Sequence, residues 1–422
     1  MKIFKPESGV SKILQLVHAF MCLKNDSSLK SIPKCDILII CHEGDRAALK
    51  QGLRYSQLSD SLGDYLEAKG AAIGSVTIGL AGCSPNQLYR KPLALNRYMI
   101  FYSMLRSFGF KNCAHNFLAR VFEKIIHYSE CKTIITQQSW RGVVYAASKS
   151  NIPIYLLIHG IGYPEPDRGH KGEDPFAFPD FYLSLDEITT NSLSTLVPLQ
   201  RIVQTAHPWL RQFESVKDTD CSDWRLKSSL IEGIESYKKV TLLTLQYGYD
   251  GEFPVFEGII PNGIVHEEVV SAIVETEKEV AWLVRLHPRQ QAKRQYEKHR
   301  DFVSSMEERY PNVFFSGLSQ APLPALLRVV DNHVTMISMS CYEAAWCNVP
   351  SLVLCPTTFP GKKHEKYFSD LEGVGAVVKG NLEAKEIAQW VKSSSKMSDG
   401  FIGVRYQEDE SIEHILRSAK IC

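Results

Sequence analysis

Two histidines in this sequence follow apolar runs that are typical of buried strands. One of them, His287, lies in the stretch Arg-Leu-His-Pro-Arg. Pro288 fixes its own backbone angle and favours extended geometry at His287, so the imidazole is aimed in one direction. Arg285 and Arg289 would place that ring in a positive field, where a phosphate is the natural partner. The alternative is that the His-Pro pair merely ends a strand. A second His-Pro pair, at 207–208, has no such arginines and is predicted to lie in a linker.

The other histidine, His159, follows the apolar run 154–158 and precedes Gly160. Glycine lets the backbone turn without a Cβ, so the imidazole is expected on a loop at the end of a strand. There it could take a proton from an attacking hydroxyl. A loop histidine bonded to a backbone carbonyl is the alternative. Glu43 and Asp45, which follow the first predicted strand, are alternative candidates for the base.

A third set of polar residues begins where an apolar run passes into a predicted helix. Ser338 and Ser340 lie at this point, where hydroxyl and backbone N–H groups can bind an anion. Glu343, in the first helical turn, could bond ribose hydroxyls. The alternative is an ordinary helix start, with Ser340 as the N-cap and Glu343 as its capping-box partner. Gln246 ends another predicted strand and Tyr247 follows it, where they could touch the same ligand or form an ordinary turn.

The composition is that of a globular protein with two domains. The chain has 422 residues, of which 44% are hydrophobic and 23% are charged, and its net charge is +1. This length suits two domains of roughly 200 residues each. The balanced charge gives no general attraction to nucleic acid. The 11 cysteines form no CxxC motif. Because their number is odd and the chain is long, a reducing cytoplasm is favoured over a disulfide framework.

Membrane-related signals are limited to two segments. The N-terminus lacks the apolar core of a signal peptide, and no run reaches the roughly 18–20 apolar residues that span a bilayer. A cytoplasmic protein is therefore expected. Residues 9–24 form an amphipathic stretch, and residues 97–127 interleave Arg and Lys with aromatic residues. Both segments fit peripheral contact with an inner membrane, and both fit at least as well a helix that faces the protein core.

Apolar runs alternate with helical patterns through most of the chain, which predicts α/β architecture with parallel sheets. The expected strands cover 35–42, 71–80, 131–138, 152–160, 180–186, 238–246, 279–288, 312–317, 334–340 and 350–356. The expected helices cover 45–69, 114–129, 141–151, 264–278, 290–309, 320–331 and 341–348. A polar stretch from residue 214 marks a boundary, so we expect domains of residues 1–215 and 216–422. The last helix packs either on its own domain or back on the first. In open α/β sheets, ligands bind beyond the carboxyl ends of the strands, where the residues above lie.

In their order along the chain, His159-Gly160, His287-Pro288, Ser338-Met-Ser340 and Glu343 resemble the GT-B glycosyltransferase superfamily. The sequence is most similar to bacterial surface-polysaccharide enzymes: CDP-glycerol glycerophosphotransferases, capsule transferases for Kdo or related sugars, and sialyl- and polysialyltransferases. The likeness is clearest over residues 130–360. It implies two doubly wound Rossmann-like domains that face each other across a cleft, the first binding the acceptor and the second the nucleotide donor.

The resemblance also implies roles for these residues. His287 would contact the donor phosphate and protonate the departing nucleotide. Ser338 and Ser340 would bind the same phosphate, and Glu343 would bind the ribose. His159 matches the His-Gly motif of the glycerophosphotransferases, which implies a general base. The related sialyltransferases instead use a paired acidic motif followed by glycine, which this sequence lacks, so the base and the sugar stay open.

The function that the resemblance implies is metal-independent glycosyl transfer without a cofactor other than the substrate. The donor would be a cytidine nucleotide, with a CMP-nonulosonic acid or CMP-Kdo favoured, and the acceptor a hydroxyl of a bacterial surface glycan or glycolipid. The alternatives are a CDP-glycerol or CDP-ribitol phosphotransferase, a UDP-sugar transferase or 2-epimerase, and a nucleotide-sugar-binding partner without turnover. The protein would be cytoplasmic, with or without peripheral contact with the inner membrane.

Overall fold

The computed structural model describes residues 21–46, 48–158, 178–215, 224, 226–292, 294–398 and 408–421. The chain divides into two compact units. The first comprises Met1–Asp218 and Tyr406–Cys422, and the second comprises Thr219–Arg405. Each unit contains a parallel sheet, with helices between most pairs of successive strands in the described residues. The predicted class, α/β with two doubly wound units, is therefore confirmed.

The first unit is built on a seven-stranded parallel sheet. Its strands and a small hairpin are β1 (Ile37–His42), β2 (Ala48–Lys50), β3 (Leu53–Tyr55), β4 (Ile73–Ile78), β5 (Leu93–Ala94), β6 (Thr133–Thr136), β7 (Ile154–Leu157), β8 (Phe181–Ser184) and β9 (Ile202–Gln204). The order across the large sheet is β5-β4-β1-β6-β7-β8-β9, while β2 and β3 pair with each other. The chain therefore starts inside the sheet and winds outward to both edges, as in doubly wound folds.

The second unit is built on a six-stranded parallel sheet. Its strands are β10 (Lys239–Thr244), β11 (Val280–Arg285), β12 (Val313–Phe314), β13 (Asn332–Thr335), β14 (Ser351–Val353) and β15 (Val377–Lys379). Their order is β12-β11-β10-β13-β14-β15. Because β10 is the first strand and lies inside the sheet, this unit is also doubly wound.

The α-helices of the described residues fall between and after these strands. They are α1 (Ser59–Ala68), α2 (Asn96–Ser107), α3 (Lys111–Ser129), α4 (Arg141–Lys149), α5 (Glu187–Ser194), α6 (Pro208–Ser215), α7 (Glu267–Glu275), α8 (Pro288–Ala292), α9 (Glu297–Arg309), α10 (Leu323–Leu327), α11 (Ser340–Trp346), α12 (Ser369–Gly373), α13 (Ala384–Ser393) and α14 (Glu408–Ser418). None of the helices in these ranges is both long and apolar enough to cross a membrane.

The central strands form because apolar side chains follow one another without interruption. Residues 37–40 in β1 and 280–284 in β11 are all buried. Continuous apolar runs of this kind suit strands that are covered on both faces. Trp282 in β11 is fully buried, and its Nε1 donates to Thr276 Oγ1 at 2.9 Å, so its polar atom is satisfied.

The last helix, α14, packs on the first unit. Tyr155 OH in β7 lies 2.8 Å from His414 Nδ1 and 2.5 Å from Ser418 Oγ. Ser411 Oγ donates to Thr205 Oγ1 at 3.2 Å. These contacts join α14 to β7 and to the residue that follows β9.

The helix predicted over 45–69 is wrong in its first half. The hairpin of β2 and β3 occupies that part, and α1 begins only at Ser59. Gln51 and Gly52 have φ angles of 55° and 72°, which form the tight hairpin turn and cannot belong to a right-handed helix. The turn pair is Gln-Gly rather than Asn-Gly or Asp-Gly, which explains why the sequence signal is weak.

The linker predicted at 205–210 is also wrong. Helix α6 begins at Pro208, and Trp209 is fully buried within the first unit. The His-Pro pair therefore starts a packed helix, with the proline at the first helical position, where its missing N–H has no cost. The helix predicted over 290–309 is divided into α8 and α9.

Candidate functional site

Three neighbouring strands of the second sheet end at one edge. Strands β11, β10 and β13 lie side by side and run parallel. The segments that follow them, 245–247, 286–289 and 336–340, therefore emerge together, and we call these three segments the carboxyl edge. Most of the residues predicted to bind the donor belong to it, and Arg285 and Glu343 lie directly beside it in sequence.

Gln246 ties two segments of the carboxyl edge together. Its Nε2 donates to the carbonyl of Ile337 at 2.7 Å, and its Oε1 accepts from the N–H of Ile337 at 2.9 Å. The Gln246 carbonyl also accepts from Gln290 Nε2 at 3.2 Å. Since both ends of its amide are engaged, Gln246 holds the loop after β10 against the loop after β13.

His287 is held by the start of the short helix α8. Its N–H donates to Gln290 Oε1 at 2.9 Å, and its Nδ1 accepts from the N–H of Arg289 at 3.1 Å. Pro288 occupies the first helical position, where proline is favoured. A neutral imidazole whose Nδ1 accepts a hydrogen bond carries its proton on Nε2. The fixed tautomer makes Nε2–H a donor, and the ring packs against Tyr247 with centroids 4.6 Å apart.

The two arginines around His287 have separate partners. The guanidinium of Arg289 lies 4.2 Å from the ring centroid of Tyr247 and 3.1 Å from Glu252 Oε1. The guanidinium of Arg285 instead donates to the carbonyl of Ala321 at 3.0 Å. The expected positive field around His287 therefore comes mainly from Arg289 and is partly balanced by Glu252.

Ser340 lies over a buried histidine that the sequence analysis missed. His333 in β13 is fully buried, and its Nε2 lies 2.8 Å from Thr244 Oγ1 and 3.3 Å from Ser340 Oγ. Its Nδ1 lies 2.9 Å from Ser351 Oγ. Desolvation by burial lowers the pKa of His333 to about 3, so the ring is neutral at physiological pH. One nitrogen must then donate and the other accept, which orders the hydroxyls around it.

The capping-box alternative for this helix start is wrong. Ser340 Oγ lies 3.2 Å from Thr244 Oγ1 and contacts His333, and the N-cap residue of α11 is Met339, which makes no side-chain hydrogen bond. The local bond is made by Ser338, whose Oγ accepts from the N–H of Ser340 at 3.2 Å. Thr244 and Ser340, from two different strand ends, thus share one buried hydroxyl network.

Glu343 presents a carboxyl group with unusual properties. It is partly accessible to solvent, and none of the described residues donates a hydrogen bond to its carboxylate. Desolvation raises the pKa of Glu343 to about 7, although the positive charge of Arg285 opposes this rise. Burial also lowers the pKa of Arg285, whose Nε is buried without a hydrogen-bond partner among the described residues. A half-protonated carboxyl at neutral pH can both donate and accept hydrogen bonds.

The partners of His333 are explained by the register of the strands. His333 is paired directly with Ser351 on β14, and Thr335 with Thr244 on β10. A histidine inside an apolar strand must find polar partners, and these lie in strands that are remote in sequence. These partners can therefore be read from the sequence only once the strand order is known.

The candidate bases belong to the first unit. Glu43 and Asp45 form a single helical turn after β1. The Glu43 carboxylate accepts from Arg54 NH1 at 3.1 Å and from the N–H of Cys83 at 3.2 Å, so it joins the turn after β1 to strand β3 and to the segment after β4. His159 and Gly160 lie outside the described residues. The roles predicted for all four residues stay predictions.

No protein-family model matches the sequence, and no curated protein matches it. Solved structures do match. The chain is similar to the UDP-GlcNAc 2-epimerase from Methanocaldococcus jannaschii, with 12% identity and a TM-score of 0.52 over 92% of this chain and 99% of that one. It is also similar to the UDP-GlcNAc 2-epimerase from Neisseria meningitidis bound to UDP-GlcNAc, with 12% identity and a TM-score of 0.52 over 90% and 98% of the two chains. The chain has the GT-B fold. At these identities the likeness establishes the fold alone.

Proposed function

We propose that the protein is a metal-independent glycosyltransferase that moves a sugar from a cytidine-nucleotide donor to a hydroxyl of a bacterial surface glycan. The observation that carries the proposal is the carboxyl edge, where the oriented imidazole of His287 follows β11 and where Ser338 and Ser340 follow β13, the two parallel strands that flank β10. Ligands of open α/β sheets bind beyond such strand ends.

The donor phosphate is assigned to these three side chains. His287 offers Nε2–H because its Nδ1 accepts from Arg289. Ser340 is 7% exposed, and its Oγ lies 3.2 Å from Thr244 Oγ1 and 3.3 Å from His333 Nε2. Because a hydroxyl can make three hydrogen bonds, one remains for a ligand. Hydrogen bonds to a charged phosphate are stronger than those between neutral groups.

The ribose is assigned to Glu343. Its carboxyl group is partly accessible, and no described residue donates to it. An ionised carboxylate can accept hydrogen bonds from two neighbouring ribose hydroxyls, which fixes the nucleotide relative to the phosphate-binding serines.

The reaction is a direct displacement at the anomeric carbon. The acceptor oxygen forms a bond to that carbon, while the bond from carbon to the phosphate oxygen breaks and its electron pair stays on the nucleotide. His287 and the serines stabilise the growing charge on the leaving phosphate. A base takes the acceptor proton, and the family resemblance assigns this role to His159, with Glu43 and Asp45 as alternatives.

A second candidate is 2-epimerase activity on a UDP-sugar. It is supported by two of the similar solved structures, which are UDP-GlcNAc 2-epimerases. The cytidine preference is supported by the motif resemblance alone. The two candidates differ in nucleotide and in whether an acceptor is required.

The test is to incubate the full chain with CMP-sialic acid, CMP-Kdo, CDP-glycerol or UDP-GlcNAc, with and without glycan acceptors. Turnover is measured as the release of nucleotide and the conversion of the sugar. Release from a CMP-sugar that increases with acceptor supports the proposal, whereas conversion of UDP-GlcNAc without acceptor supports the epimerase. His287→Ala should lower turnover roughly 100-fold or more if the imidazole acts as an acid. Ser305→Ala is the matched control, since among the described residues this exposed hydroxyl bonds only to the carbonyl of Phe302 in its own helix. Turnover of no donor by the intact protein would contradict the proposal.

A further inference from the structure

Helix α2 carries partly exposed apolar side chains on the face opposite to the core, where Phe101 contacts Phe117 of α3 with ring centroids 4.7 Å apart. Its inner face packs Met99 and Tyr102 into the core of the first unit. On the opposite side, Phe101 and Met104 are 45% and 42% exposed, and Phe108, just after the helix, is 73% exposed. These three residues are spaced three and four apart, so they form one stripe along the helix.

The stripe continues into the turn between α2 and α3. Phe110 follows at 57% exposure, and Gly109 between the two phenylalanines has a φ of 87°. A positive φ lets the chain reverse within one residue. The tip of the helical hairpin therefore presents two aromatic side chains to solvent. We call Phe101, Met104, Phe108 and Phe110 the aromatic tip.

The surroundings of the aromatic tip are basic. The segment 97–122 contains Arg97, Arg106, Lys111 and Arg120 but neither aspartate nor glutamate. All four basic residues are exposed. Arg97 is paired with Asp26, whereas no ion pair is formed by Arg106, Lys111 or Arg120 with the described residues. An apolar surface with a positive rim has the chemistry of a helix that lies in the interface of an anionic bilayer.

We propose that the aromatic tip docks on the surface of a membrane that contains anionic lipids. Phe108 and Phe110 enter the boundary between headgroups and acyl chains, and Arg106 and Lys111 contact lipid phosphates. A second copy of the chain fits this surface poorly, because a two-fold contact through the tip would bring the two basic rims together. The inference is independent of the reaction proposed above.

The test is co-sedimentation of the full chain with vesicles of phosphatidylcholine, with and without phosphatidylglycerol. The protein is expected to bind the anionic vesicles, and added salt is expected to weaken the binding. The double variant Phe108→Ser/Phe110→Ser should bind at least about tenfold more weakly, because the apolar contact is lost. The matched control is Leu196→Ser/Leu199→Ser, which removes two leucines of the first unit that are 46% and 59% exposed.

A second variant tests the contact without removing apolar area. Phe108→Trp should retain binding, and its indole emission should shift to shorter wavelength only with anionic vesicles. The proposal is overturned if neither kind of vesicle binds, if the serine pair and the leucine control bind alike, or if the tryptophan emission does not shift. It is also overturned if sedimentation shows a dimer that dissociates in the serine pair, since a second copy would then cover the tip.

Discussion

Replacing His333 with asparagine is expected to remove an acid sensitivity from the second unit. Burial lowers the pKa of this histidine to about 3, compared with 6.5 for an ordinary histidine. Between pH 6.5 and pH 3, His333 is therefore protonated in the unfolded chain but neutral in the folded chain. Stability is lost as the pH falls from 6.5 toward 3, with a slope of about 1.4 kcal/mol per pH unit.

This slope gives a definite magnitude at pH 5. That pH lies about 1.5 units below the ordinary pKa, so His333 should lower the free energy of unfolding by about 2 kcal/mol relative to neutral pH. Glu343 acts in the opposite direction, because its pKa is raised to about 7 and its protonation favours the folded state. Both proteins retain Glu343, so its contribution cancels in the difference between them.

The assay is urea unfolding of the wild type and His333→Asn at pH 7.5 and pH 5, followed by tryptophan fluorescence. At pH 7.5 the variant should be less stable by about 1–3 kcal/mol, because three hydroxyls lose a buried partner. Between the two pH values it should lose about 2 kcal/mol less than the wild type. His127→Asn, at an exposed histidine of the first unit, is the control and should follow the wild type. Equal losses in the wild type and His333→Asn would refute a buried neutral histidine.

Three further outcomes are expected. If ionised Glu343 binds the ribose, the nucleotide affinity of the wild type should fall about fivefold between pH 7 and pH 6, because the ionised fraction of a group with a pKa of about 7 falls from about one half to about one tenth. The affinity of Glu343→Gln should stay flat over the same range in calorimetric titrations. Gln246→Leu should lower the free energy of unfolding by about 1–3 kcal/mol in denaturant titrations, because both hydrogen bonds to Ile337 are lost. An unchanged denaturation midpoint would contradict the role of Gln246 in holding the two loops together. Asp60→Ala should cost about 3–5 kcal/mol, because it leaves the fully buried charge of Arg46 unpaired. The double change Arg46→Met/Asp60→Leu should cost less in the same assay, and an equal or larger cost would argue against the ion pair.

The sequence predicts the central strands well because each is an uninterrupted apolar run. Strands β1 and β11 are of this kind, and both are buried throughout except at their last residue. The edge strands β5, β9 and β15 are two or three residues long, and β9 and β15 are only partly buried. Too few side chains face the core at these edges to leave a pattern, so the sequence analysis missed them.

In the candidate site, too, some features can be predicted from the sequence and others cannot. That Ser338 and His287 follow parallel strands can be inferred from the sequence, because strand ends are marked by the loss of apolar residues. The partners of these residues cannot be inferred in this way. His333 meets Thr244 across 89 positions of sequence, and Gln246 meets Ile337 across 91. Such contacts depend on which strands are neighbours, and local patterns do not carry that information.

The most direct test of the account is nucleotide binding at the carboxyl edge. Calorimetric titration of the full chain with CMP, CDP, UDP and GDP should give binding that is strongest for a cytidine nucleotide. Ser340→Ala and His287→Ala should each weaken that binding about tenfold, the loss of one hydrogen bond to a charged phosphate, while Ser305→Ala should bind as the wild type. Binding of no nucleotide, or binding that is the same in all four proteins, would contradict the assignment of this site.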